Sequence, residues 1–230
     1  MTEFLSGLSL LPLVLTFAAF QIGKWLQNKG KSPIFNPILI AALLIIPVLL
    51  LTKIPYATYQ AGTGAITWLL TPATVSMALP LYRQLKTLKK SLPAALTGIV
   101  AGTLSSLLVI AGMCLWMKLD RTISVSLLPK SITTAIGIVL SEDAGGIPGL
   151  TAVAIIVTGI LGNLSGPWLC KLLKITDPVA QGVALGTACH VVGTARATEM
   201  GALQGAVSSL SLTVAGILTA ILFPLAILVF

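Results

Sequence analysis

The chain has 230 residues, of which 56% are hydrophobic and 9% are charged, and its mean hydropathy is +1.03. A soluble domain carries about 25% charged residues, so this composition excludes a water-soluble globular protein and predicts a surface covered mostly by lipid. The formal net charge is +8, but the basic residues sit beside apolar runs. We interpret this charge as a mark of membrane topology and exclude nucleic-acid binding.

Six uncharged runs are long enough to cross a membrane as helices. They lie at 4–23, 32–52, 54–82, 91–117, 144–170 and 200–230. Each reaches the roughly 20 residues that span about 30 Å of hydrocarbon. A β-barrel would need strands that alternate apolar and polar residues, and LLIIPVLLL at 43–51 does not alternate. We therefore predict an all-α polytopic membrane protein with about six full-length transmembrane helices.

The first uncharged run predicts a membrane helix rather than a signal peptide. The preceding residues include Glu3 instead of a basic group, and no A-x-A site precedes Lys24. Basic clusters follow at 24–31 and 83–90. The positive-inside rule places both clusters in the cytoplasm and the N-terminus outside.

Two Gly/Thr-rich segments interrupt the apolar pattern. The sequence SITTAIGIVLSEDAGG at 131–146 has eleven uncharged residues before Glu142, which is too short to span. The sequence GTACHVVGTARATEMG at 186–201 holds the one histidine of the chain, His190. We predict that 131–146 and 186–199 are broken or re-entrant, with the second break at Gly193. Irregular backbone at membrane depth is tolerated where protein or a watery cavity surrounds it.

The chain also shows signs of internal repetition. TGIVAGTLSS at 97–106 resembles TGILGNLSG at 158–166, and threonine-bearing stretches precede them at 71–79 and 131–140. Internal repeats with interrupted helices are typical of many secondary transporters. We therefore predict one transmembrane domain, 1–230, containing repeats of about 60 residues. Its parts are an N-terminal helix pair at 1–53 and possible repeat units at 54–120, 121–176 and 177–230.

Small residues four apart predict close helix packing in lipid. The glycine pairs are 98/102, 162/166, 182/186 and 201/205. The three cysteines have spacings that suit neither a disulfide framework nor a metal site, so we interpret them as packing residues and expect no metal and no cofactor.

The polar residues of the two interrupted segments predict a site for a small organic anion. Arg196 and Glu199 are three apart and share a helix face, while His190 and Thr194 are four apart and share another. The planar guanidinium of arginine can form two parallel hydrogen bonds to a carboxylate. Threonine hydroxyls can bond a hydroxyl or keto oxygen next to that carboxylate. The predicted substrate-binding residues are Arg196, His190, Thr194, Thr187, Thr133 and Thr134, and those for proton coupling or ion pairing are Glu199, Glu142 and His190.

Each of these residues also has a structural explanation. Arg196 and Glu199 could form an ion pair at a helix end, His190 could be a core histidine bonded to a carbonyl, and Glu142 could face water. Intramembrane ionisable residues are by default functional candidates, which favours the site. The sequence contains no GxSxG, HExxH, Walker-type or CxxC motif, so we expect no enzyme.

Four motifs carry a resemblance to a known family. They are K-S-x-T-T from residue 130, E-x-x-G-G-I-P from 142, D-P-x-A-x-G-x-A-L-G-T-A-x-H from 177 and G-T-A-R-A-x-E-x-G from 193. With them the chain resembles the LrgB/CidB family of bacterial membrane proteins. Cys189 stands where many members are expected to have serine. The resemblance implies a multi-pass protein of the bacterial plasma (inner) membrane, paired with a small LrgA/CidA-type membrane protein.

The resemblance implies two functions. The family was described as a holin/antiholin-like system that modulates murein hydrolase activity and lysis, whereas a related plastid protein exchanges glycolate and glycerate and related bacterial pairs are linked to pyruvate uptake. We predict a proton-coupled transporter of small 2-hydroxy or 2-keto monocarboxylates of the glycolate, glycerate, lactate or pyruvate type. The alternative is an antiholin-like modulator of lysis. The expected partners are the lipid bilayer, the LrgA/CidA-type protein, the organic anion and a second copy in a homodimer.

Overall fold

A computed structural model describes residues 10–30, 36–69, 72, 75–76 and 78–230. These residues form helices and their connections, and none of them lies in a strand. The predicted all-helical fold class is therefore confirmed for the described part of the chain. The chain divides into two compact units, Met1–Ser76 and Met77–Phe230.

The first unit contains a packed pair of helices and two short ones. They are α1 (Leu11–Gly30), α2 (Pro37–Thr52), α3 (Tyr56–Gly62) and α4 (Gly64–Trp68). Ala19 of α1 packs against Ala41 and Ile45 of α2. The hydroxyls of Thr16 and Tyr59 lie 2.7 Å apart and join α1 to α3.

The start of α2 follows from its sequence. The Asn36 side chain accepts a hydrogen bond from the Ile38 amide at 2.9 Å, and Pro37 occupies the first helical turn. Both are favoured at helix starts because the first amides lack intrahelical partners. The predicted spans at 4–23, 32–52 and 54–82, and the stretch 71–79, lie partly outside the described residues.

The second unit contains three helices that are long and apolar enough to cross a membrane. Its helices are α5 (Ala78–Arg83), α6 (Leu85–Trp116), α7 (Arg121–Leu127), α8 (Thr134–Asp143), α9 (Pro148–Leu172), α10 (Pro178–Met200) and α11 (Ala202–Ala226). The candidate spans are Ser91–Trp116, Pro148–Leu172 and Ala202–Val229, where a 3₁₀ turn extends α11. The apolar runs at 91–117, 144–170 and 200–230 are therefore mostly helical, as predicted. The count of six spans stays a prediction.

Helix α10 lies against α6, α9 and α11, and glycines permit each contact. A methyl group added at Gly102 of α6 would lie 3.0 Å from Cγ2 of Thr187. One added at Gly162 of α9 would overlap Cys189, and one at Gly182 of α10 would lie 2.7 Å from the Gln204 carbonyl. These positions hold glycine because a side chain would separate the helices, which confirms the predicted packing role.

Both Gly/Thr-rich segments are interrupted, as predicted. Helix α8 in the first has ten residues, about 15 Å of rise, which is half of a hydrocarbon core. It ends before Gly145, whose φ of 84° suits glycine. Helix α10 in the second is broken at His190, where φ is 45° and ψ is −139°.

The predicted break at Gly193 was wrong by three residues. Gly193 follows the break because the chain turns so sharply at His190 that residue 193 returns towards residue 185. Eight residues of straight helix would separate those positions by about 12 Å. Here a methyl group at Gly193 would lie 2.5 Å from the Leu185 carbonyl oxygen. Gly193 thus permits the close approach, and His190 adopts the unusual dihedral angles.

Candidate functional site

The break at His190 is stabilised by hydrogen bonds from its surroundings. His190 is 4% exposed, and its Nε2 lies 2.8 Å from the Ile155 carbonyl oxygen of α9. Its own carbonyl accepts a hydrogen bond from the Thr194 hydroxyl at 3.0 Å, and that hydroxyl lies 2.8 Å from the Ser208 hydroxyl of α11. Asn163 of α9 donates to the Val192 carbonyl at 3.1 Å. A broken helix leaves backbone N–H and C=O groups without their helical partners, and such groups need hydrogen bonds when they are buried. These contacts provide hydrogen bonds for the carbonyls of His190 and Val192.

Arg196 and Glu199 form an ion pair near the end of α10. Nη1 of Arg196 donates to Oε2 of Glu199 at 2.6 Å, and the two side chains are 27% and 56% exposed. The predicted pairing at a spacing of three residues is confirmed. Within the described residues, Nε of Arg196 is buried and has no hydrogen-bond partner.

A cavity of about 660 Å³ lies between α6, α9, α10 and the connection from α7 to α8. One stripe of α6 lines it with residues spaced three to four apart, so they share a helix face. The two resembling stretches, 97–106 and 158–166, both contribute to the wall. The lining residues used below are Gly102, Ser106, Lys130, Ser131, Thr158 and Thr187.

Lys130 is the charged side chain of this cavity among the described lining residues. It lies in the connection between α7 and α8, and the buried Leu128 and Ile132 on either side of it hold that backbone in the bundle. The Lys130 amide also donates to the Leu127 carbonyl at 3.1 Å. In the part of the chain that the structure describes, the Lys130 ammonium group has neither an ion pair nor a hydrogen bond.

Hydroxyl-bearing residues line the same cavity as the lysine, among mostly apolar residues. Ser106 of α6 and Ser131 lie 2.9 Å apart and share one hydrogen bond, which leaves one of their two protons free. Thr158 of α9 has no hydrogen-bond partner among the described residues. The Thr187 hydroxyl donates to the Val183 carbonyl at 2.7 Å, so it can only accept from a molecule in the cavity.

A second, very small cavity adjoins the same hydroxyls. It has room for about one water, roughly 10 Å³, and Ser106, Ser131 and Thr187 line it together with Thr103 and Thr219. Thr103 is 3% exposed, and its hydroxyl has no hydrogen-bond partner within the described residues. Buried polar groups are rarely left unpaired, so this orphan hydroxyl marks a place suited to a bound water or another polar group.

The structure brings some of the predicted site residues together and separates others. Thr187 is the one predicted site residue in the described lining of the cavity. It lies there with Ser131, which was not among the predicted residues, and neither His190 nor Arg196 lines the cavity. Thr133 and Thr134 are half-buried at the start of α8, outside that lining, and Thr194 bonds to Ser208. Glu142 is exposed at the end of α8.

Lys130 is the residue that the sequence reasoning missed. Its signal was present, because it opens the K-S-x-T-T motif and lies apart from the basic clusters at 24–31 and 83–90. Among the described residues, no group of three or more His, Cys, Asp and Glu side chains could hold a metal ion.

Comparison with known proteins identifies close relatives of the chain. A family model described as "LrgB-like family" matches residues 16–229. An "Antiholin-like protein LrgB" of Bacillus subtilis is 35% identical over 213 residues, 92% of each chain. An "Antiholin-like protein LrgB" of Bacillus cereus (strain B4264) is 35% identical over 93% of each chain. An "Uncharacterized protein YwbG" of Bacillus subtilis is 34% identical over 92% of this chain and 94% of its own. No solved structure matches.

Proposed function

The chain belongs to the LrgB-like family, and from this premise we propose that it acts as an antiholin-like membrane protein that modulates murein hydrolase activity and lysis. The observation that carries the proposal is the 35% identity, over 92% of both chains, to the Bacillus subtilis protein named antiholin-like protein LrgB. The three long apolar helices of the second unit fit such a role, because helices pack through small residues in lipid.

The test is complementation of lysis control in bacteria. A Bacillus subtilis strain that lacks its own LrgB would express this chain, and lysis would be followed by optical density and murein hydrolase activity. We expect the chain to restore the lysis profile of the parent strain. The matched control is Gly162→Leu, which would overlap Cys189 and separate α9 from α10. An unchanged lysis profile, with the wild-type chain detected in the membrane, would contradict the proposal.

A second candidate function is carriage of small 2-hydroxy or 2-keto monocarboxylates, coupled to protons. The observation that favours it is the cavity of about 660 Å³, whose wall includes one lysine and several hydroxyl-bearing residues. A protein that acts only by oligomerising has no need of such a cavity. Glycolate uptake into proteoliposomes should be saturable and driven by an inward proton gradient. Uptake equal to that of protein-free liposomes would exclude this function.

The candidates for proton coupling are His190, Glu142 and Glu199. His190 is buried and bonded to Ile155, whereas the two carboxylates are exposed. Replacing each by Gln separates these candidates. Loss of gradient-driven uptake, with exchange of labelled for unlabelled glycolate retained, identifies a coupling residue because exchange needs no net proton movement.

For topology we place six spans in a bacterial plasma membrane, with the clusters at 24–31 and 83–90 in the cytoplasm and repeat units at 54–120, 121–176 and 177–230. The expected partners are a second copy of the chain and a small LrgA/CidA-type protein. Single cysteines at Lys29 and Lys89, in a variant without native cysteines, should react with impermeant maleimide in inverted vesicles but not in intact cells. The reverse labelling pattern would overturn this orientation.

A further inference from the structure

We propose that the Lys130 cavity is a binding site for a small carboxylate, with the Lys130 ammonium group as the anchor of its charge. The inference rests on the second candidate function for its biological meaning, but binding is measured without transport. It moves the expected anion site from Arg196 to Lys130.

The first step is charge. Arg196 is already paired with Glu199 at 2.6 Å and lies outside the described lining of the cavity. Lys130 is half-buried in the cavity wall and has no ion-pair partner among the described residues. A charge withdrawn from water without a partner is costly. An anion in the cavity would give Lys130 the partner that it lacks.

The second step is the donor set. A carboxylate accepts hydrogen bonds and donates none. Lys130 offers three N–H donors, the pair of Ser106 and Ser131 offers one free hydroxyl proton, and Thr158 offers another. No acidic side chain stands in the described lining to repel a carboxylate.

The third step is the kind of carboxylate. Thr187 uses its proton on the Val183 carbonyl and can only accept in the cavity. A hydroxyl on the ligand would therefore find an acceptor there as well as donors at the serine pair. This favours a hydroxy acid such as glycolate over acetate. The single lysine favours one negative charge over two, because a second carboxylate would lack a cation.

The test is binding of glycolate to the purified full-length protein in nanodiscs, measured by isothermal titration calorimetry. Lys130→Gln should weaken binding by about tenfold or more, since a hydrogen bond to a charged group is lost. Lys130→Arg should keep binding within about threefold because the charge remains. The matched control is Arg196→Gln, which should leave the Kd unchanged. Acetate should bind more weakly than glycolate, and neutral ethylene glycol should not compete.

Three results would overturn the proposal. They are the absence of glycolate binding to the wild-type protein, wild-type binding by Lys130→Gln, and loss of binding in Arg196→Gln. Helical circular dichroism and the melting temperature show whether each variant is folded. If Lys130→Gln does not fold, Lys130→Arg is the second variant at this position. Failure of binding while the chain still restores lysis control would overturn this inference and leave the antiholin-like function standing. If glycolate binds but is not taken up, the carrier function is excluded and the binding site at Lys130 still stands.

Discussion

Helix α10 contributes residues to two regions, the neighbourhood of His190 and the cavity beside Lys130. The two regions differ in whether their polar groups have hydrogen-bond partners. At His190 the ring nitrogen and the carbonyl oxygen each have a protein partner. At the cavity, the ammonium group of Lys130 and the hydroxyl of Thr158 have none within the described residues, and the same holds for the Thr103 hydroxyl in the small cavity beside it. Buried polar groups normally find partners. The bonded groups at His190 therefore maintain the shape of α10, whereas the unbonded groups at the cavity are those that the proposed carboxylate would contact.

The largest expected effect concerns the close packing next to the His190 break. Gly193→Ala would bring a methyl group to 2.5 Å from the Leu185 carbonyl, which is backbone and cannot move aside. We expect the free energy of unfolding to fall by about 3 kcal/mol, at the upper end of overpacking costs. A thiol-reactive dye can follow melting because all three cysteines are buried.

The matched control for that substitution is Gly112→Ala in α6. Gly112 has open space where the new methyl group would lie, so we expect unchanged or higher stability, by up to about 1 kcal/mol from helix propensity. Equal melting temperatures for the two variants would mean that the region at Gly193 is not tightly packed.

The next effect concerns the backbone of His190 itself. Its φ of 45° is favourable for glycine and strained for alanine. Both His190→Gly and His190→Ala lose the bond to Ile155, but the glycine variant should be more stable by about 1–2 kcal/mol. In a regular helix the order is reversed, so Ala195→Gly should destabilise by about 1 kcal/mol. If His190→Ala is the more stable variant, α10 is not broken at this residue.

An effect of similar size separates a hydroxyl that has hydrogen-bond partners from one that has none. Thr194 is 1% exposed and bonds to both His190 and Ser208. Thr194→Val removes both bonds and should cost about 1–3 kcal/mol. Thr158→Val removes no bond among the described residues and should cost less than about 0.5 kcal/mol. If both substitutions lowered the free energy of unfolding by similar amounts, Thr158 would have a structural role rather than a role in binding a ligand.

Much of the helical architecture could be predicted because hydrophobic length and small-residue spacing are local properties of the sequence. The helix α9 follows from its uncharged run, and the pair Asp177–Pro178 is an N-cap followed by a first-turn proline. The Asp177 side chain accepts from the Ala180 amide at 2.8 Å. The ion pair of Arg196 with Glu199 was also predictable, because residues three apart meet on a helix.

The location of the break and the role of Lys130 could not be predicted from local pattern. Glycine is the usual residue at strained dihedral angles, which pointed to Gly193, yet tertiary contacts from Ile155 and Asn163 hold the break at His190. Lys130 is separated along the sequence from Ser106, Thr158 and Thr187. Its place among them depends on how α6, α9, α10 and the connection from α7 to α8 pack. A short stretch of sequence carries no information about that packing.

The smallest expected effect concerns the exposed end of α10. The side chains of Arg196 and Glu199 are 27% and 56% exposed, and an ion pair that is exposed to water contributes about 0.5 kcal/mol and is weakened by salt. Arg196→Gln should therefore leave the melting temperature nearly unchanged, and Glu199→Gln should behave alike. If Arg196→Gln instead abolished glycolate uptake while glycolate still bound at Lys130, Arg196 would lie on the path into or out of the cavity. The ion pair would then act as a gate. Arg196 would control entry of the ligand, and Lys130 would bind it.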